Sequence, residues 1–150
     1  MNGFDYTCID IKEFQPDLDA SPLGNYEKSS LNDKIMGMHC QGCYKRGLKP
    51  YIPLVSHDFD EVCMVGKIYI STYSGETITE MFENFNLDKI NTYSDLILNF
   101  IFKKEPTKDC MNLIYENLRS LSCKDYNWGL CIGEYLATNY SVELIAYCRA

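Results

Sequence analysis

The sequence is poor in alanine, with Ala20, Ala137, Ala146 and Ala150 its full complement, and it holds two histidines and one tryptophan in 150 residues. So few imidazoles leave no legible Ser–His–Asp arrangement for nucleophilic catalysis. Cations are also outnumbered: 14 Lys+Arg face 21 Asp+Glu, for a formal net charge of -7. A phosphate backbone is gripped through a surplus of Lys and Arg, so nucleic acid is not an expected partner. Neither GxGxxG nor GxxxxGK[ST] occurs to cradle a nucleotide phosphate. No run nears the ~18 apolar residues that span a bilayer. The best, Leu96 to Phe102, is interrupted by Asn99 and closed by Lys103 and Lys104. The start, Met1-Asn2-Gly3-Phe4-Asp5, lacks the basic and apolar regions of a secretory signal. A cytoplasmic protein with no membrane partner is expected.

At 46% hydrophobic and 23% charged residues the chain has the composition of an ordinary globular domain. Its abundance of Asn, Ile, Tyr and Lys fits A+T-rich coding, as in large cytoplasmic DNA viruses. A viral accessory factor in the host cytoplasm is one expectation that follows.

Hydrophobic patterning divides a single domain, 1–150, into two halves. Residues 4–14 alternate as a strand, 15–34 carry prolines, glycine and acids as a loop, and 62–73 are β-branched and aromatic. Pro53 limits 50–55 to an edge strand. After Gly75 the period turns helical. Thr77-Ile-Thr-Glu80 is a capping box, with Ile78, Met81, Phe82 and Phe85 on one stripe. Thr92-Tyr-Ser-Asp95 offers a similar start before Leu96, Ile97, Phe100 and Ile101. Pro106-Thr107 opens a third helix bearing Cys110, Leu113, Ile114, Leu118 and Leu121. Asp125 or Asn127 caps a fourth over Ile132, Tyr135 and Leu136, continuing to Leu144, Ile145 and Cys148. The expected fold class is α+β: a small β-containing, loop-rich half (1–75), then a bundle of about four helices (76–150).

The chain has eight cysteines. A reducing cytosol disfavours a disulfide framework, so Cys110, Cys123, Cys131 and Cys148 read as small buried hydrophobes. His39-Cys40-Gln-Gly-Cys43 is different. Two thiolates three residues apart reach one ion where glycine eases the turn, and Gly42 and Gly47 stand there. His57 and Cys63 follow, completing four ligands for a tetrahedral zinc ion. The spacing over 40–63 resembles that of small zinc-finger modules in which two cysteines are followed by a histidine and a further cysteine. It implies one structural zinc (Zn2+) on Cys40, Cys43, His57 and Cys63, which leaves no open position for a reacting water. His39 is the alternate ligand, disfavoured by the strain of adjacent ligation. Cys40-x-x-Cys43 is also similar, in four positions only, to the redox motif of thioredoxin-like proteins. There Cys40 attacks and Cys43 resolves. Asp58, Asp60 and Glu61 read as a solvated acidic loop.

Function then falls to the surface. The leading expectation is a non-enzymatic interaction or regulatory protein, zinc-stabilised, whose acidic and tyrosine-rich face meets a protein partner, with a homodimer as one form. The alternative is a thiol–disulfide oxidoreductase on Cys40 and Cys43.

Overall fold

The computed structural model describes residues 13–14, 37–38, 40–54, 67–121 and 125–148. Their elements are β1 (Glu13–Phe14), α1 (Cys40–Lys45), β2 (Lys49–Ile52), β3 (Lys67–Gly75) and α2 (Ile78–Glu83). After these come α3 (Leu87–Ile90), β4 (Asp95–Phe102), α4 (Lys108–Arg119), β5 (Asp125–Ile132) and β6 (Tyr140–Cys148). The expected loop over 15–34 and most of the expected first strand lie outside the described residues. The strands form one mixed sheet in the order β1-β3-β6-β4-β5-β2. β4 and β5 run parallel, so α4 must cross over between them, whereas β6 is antiparallel to both β3 and β4.

The second half is therefore not a bundle of about four helices. The segments read as helical from Thr92 and from Asp125 are the strands β4, β5 and β6. The physical reason is burial on both faces. All eight residues of β4 are buried between β6 and β5, and a strand apolar on both sides has no period of two to betray it. Nor does a zinc-stapled first half stand apart. β3 pairs with β6 and β2 with β5, so strands from 1–75 flank those from 76–150 in one sheet.

Two helices begin where local chemistry dictates. The Thr77 hydroxyl accepts from the Glu80 amide at 3.0 Å, and the Thr107 hydroxyl accepts from the Cys110 amide at 3.2 Å. Behind these caps, α2 and α4 lay Ile78, Met81, Phe82, Ile114 and Leu118 on one face of the sheet. They meet Leu96, Leu98, Phe100 and Phe102 of β4 together with Val142, Leu144 and Ala146 of β6. Alternation sends the intervening residues, Ile97, Asn99 and Ile101 of β4 and Glu143 and Ile145 of β6, to the opposite face. α1 covers part of that second face: Cys43 and Leu48 pack there with Ile101 and Cys131. At the sheet margin β5 and β2 approach closely, since a Cβ on Gly129 would stand 2.6 Å from the Ile52 carbonyl oxygen. Among the described residues no helix is long and apolar enough to cross a membrane.

Candidate functional site: a buried thiol pair beneath α1

α1 is short because Gly47 ends it. Gly47 takes a left-handed conformation (φ 76°), which a residue with a Cβ adopts only with strain. The Gly47 amide then donates to the Tyr44 carbonyl at 3.1 Å and the Leu48 amide to the Cys43 carbonyl at 2.9 Å. This is the Schellman closure, with its apolar contact between Leu48 and Cys43. The same turn carries Arg46 over the sheet and feeds the chain into β2.

Beneath α1 lies a polar cluster on an otherwise apolar face. Asn99 and Glu143 are direct cross-strand partners on β4 and β6, and Cys131 is the partner of Ile101 on β5. The Arg46 guanidinium meets the Glu143 carboxylate with two parallel contacts of 2.9 Å and donates a further bond of 2.8 Å to the Gly37 carbonyl. Glu143 also accepts from the Asn99 amide at 3.0 Å. Glu143 is 3% exposed, so its charge is tolerable only because these donors replace water.

Asn99 links that ion pair to two thiols. Its amide nitrogen lies 3.8 Å from the Cys43 sulfur, and its carbonyl oxygen accepts from the Cys131 thiol at 3.6 Å. Cys43 is 1% exposed and Cys131 2%. The neighbouring Cys131 thiol, aided by the Arg46 charge and Asn99, holds Cys43 below the usual thiol range against burial and the Glu143 carboxylate. Cys131, beside Cys43 and itself buried, is pushed up.

The expected site residues fare differently. Cys40 occupies the first turn of α1, three residues before Cys43. The Cys40 side chain, His39, His57 and Cys63 lie outside the described residues, as do Asp58, Asp60 and Glu61. Cys43 is turned into the interior, toward Asn99 and Cys131. Among the described residues no group of three or more His, Cys, Asp or Glu is gathered to hold a metal ion. Cys131 and Asn99 escape sequence reasoning because no spacing motif joins residues so far apart; strand order brings them to Cys43.

A second feature lies at the other end of β4. A groove of about 270 Å³ is lined by Lys103, Lys104, Thr107, Cys110, Asn139 and Tyr140. Desolvation there pushes the Cys110 thiol up, but hydrogen bonds from Thr107 and Tyr140 outweigh it and leave the thiol below its ordinary value.

No family model and no curated protein matches the chain. Among solved structures it is similar to the "FtsZ dimer, empty" from M. jannaschii, with a TM-score of 0.55 at 15% identity. The likeness covers 80% of this chain and 37% of that one, so the chain spans little more than a third of its neighbour's length. What it carries is the architecture: a mixed sheet with short helices, shared with part of an FtsZ chain.

Proposed function

We propose that this is a non-enzymatic, cytoplasmic interaction protein that associates with a second copy of itself through the corner where α1 turns into β2. The observation that carries the reading is the exposure of Tyr44 (66%), Tyr51 (47%) and Tyr135 (62%) around that corner. Tyr135 is anchored there by donating its hydroxyl to the Arg46 carbonyl at 2.9 Å. Tyrosine brings a large apolar body at little entropic cost and concentrates at contact hot spots. Lys45 and Lys49 are exposed beside them and form a charged rim around the tyrosines. Pro50 and Pro53 blunt this margin against strand addition, which leaves side chains to make the contact. The neighbouring FtsZ structure is itself described as a dimer.

Sedimentation equilibrium up to roughly 0.1 mM protein tests the reading, with a dimer expected. Tyr44→Ser and Tyr51→Ser are each expected to raise the dissociation constant about tenfold. A wild-type chain that stays monomeric throughout would overturn it.

The second reading is a structural zinc ion on Cys40, Cys43, His57 and Cys63. It is favoured by the placement of Cys40 and Cys43 three residues apart within α1. The ion would have to draw the Cys43 sulfur away from Asn99 and Cys131. Metal analysis of protein purified without added zinc is expected to return one equivalent on this reading; metal-free protein that melts unchanged in a strong chelator rejects it. Thiol–disulfide exchange led by Cys40 has less support, because its resolving partner Cys43 is almost completely enclosed.

A further inference from the structure

We propose that Cys43 and Cys131 form a peroxide-responsive dithiol that closes to a disulfide and fastens α1 to β5. Both cysteines are free and buried, and they share one small apolar cluster with Leu48, Ile101 and Leu136. A single side-chain amide touches both sulfurs, with Asn99 at 3.8 Å from Cys43 and 3.6 Å from Cys131. A disulfide needs the sulfurs brought to ~2.05 Å, and both already pack in one small cluster against the same side-chain amide.

Burial selects the oxidant. At 1–2% exposure the sulfurs are closed to a bulky disulfide such as oxidised glutathione unless α1 lifts, so the oxidant must be small. With hydrogen peroxide the Cys43 sulfur attacks one oxygen and the O–O bond breaks. The other oxygen leaves with the thiol proton as water, and Cys43 becomes a sulfenic acid. The Cys131 sulfur then attacks Cys43, the S–O bond breaks, and a second water departs with the Cys131 proton. Two thiols have given two electrons to one peroxide, yielding one disulfide and two waters. Asn99 sits where it can steady both sulfurs through the exchange. The link joins residues far apart in sequence and so restrains the unfolded chain strongly. It also pins the helix that carries Tyr44 and Lys45. The chemistry does not depend on self-association.

The test is peptide mapping of fully reduced, metal-free wild-type protein treated with one equivalent of hydrogen peroxide. Expected are an intact mass lower by two hydrogens, a peptide joining Cys43 to Cys131, a melting temperature higher by several degrees, and full reversal by dithiothreitol. In Cys131→Ser, the same treatment is expected to leave a Cys43 sulfenic acid trapped by dimedone. Cys43 joined to a different cysteine overturns the proposal, and so does alkylation of both thiols after oxidation and unfolding. Because the mapping is read on wild-type protein, a poorly folding variant does not blunt it. A zinc ion that holds Cys43 in untreated protein and blocks the link would also count against it.

Discussion

Arg46→Met is expected to destabilise the fold by ~2–4 kcal/mol, read as a lower urea midpoint. The guanidinium meets Glu143 in two contacts of 2.9 Å, and Glu143 is 3% exposed in the middle of the sheet. Methionine keeps the aliphatic stem but strands a carboxylate in an interior that cannot solvate it. The Arg46 side chain is 34% exposed, so water repairs part of the loss. That keeps the figure below the ~3–5 kcal/mol of a fully enclosed pair. The double variant Arg46→Met, Glu143→Leu should recover much of the stability, since no buried charge is then left unpaired. A single substitution costing under ~1 kcal/mol would mean that the pair only decorates the surface of α1.

The other large effect is expected on the opposite face of the sheet, on the neighbouring strand β4. Phe100 is fully buried. It holds its ring centroid 5.9 Å from Phe82, 6.2 Å from Phe102 and 5.7 Å from Trp128. Phe100→Ala removes the ring that joins α2, β4 and β5, and should cost ~3–5 kcal/mol through lost burial and the cavity left behind. Phe100→Leu, closer in volume, should cost less than half as much in the same denaturation experiment. A small loss in both would place the centre of the helix-side core elsewhere.

These two substitutions lie on either side of Asn99, and the segment around it shows where sequence reading fails. Leu96, Ile97, Phe100 and Ile101 are spaced as a helical stripe, and Thr92 and Asp95 look like a cap. The structure uses them otherwise. The Thr92 hydroxyl donates to the Lys89 carbonyl at 2.8 Å and closes α3, while Asp95 begins β4. A run apolar at nearly every position fits a helical stripe as readily as a strand with two buried faces. The neighbours decide, and β4 has β6 on one side and β5 on the other. The tail of the chain misleads in the same way: Leu144 and Ile145 fit a helical stripe but, as neighbours on β6, point to opposite faces.

The site is half legible. Cys40-Gln-Gly-Cys43 draws attention to the right helix, and glycine at position 47 announces a turn that is there. The partners of Cys43 are not legible. Cys131 looks like one more small hydrophobe, and Asn99 like a blemish in an apolar run. Each gains meaning only from cross-strand pairing, which is a property of register and not of local spacing.

By itself the sequence determined whatever a few neighbouring residues can settle. Threonine hydroxyls at 77 and 107 start helices because an unpaired amide lies three residues on, and Gly47 stops one because it alone there tolerates a positive φ. Charge balance and the shortness of the apolar runs belong to the same class. Only the tertiary structure decided that three long apolar segments are strands, and that a helix from the first half covers a thiol, an amide and a carboxylate from three of them. Backbone groups in such segments can be satisfied within a helix or across a ladder, and the free energy that separates the two comes from distant partners the local sequence does not contain.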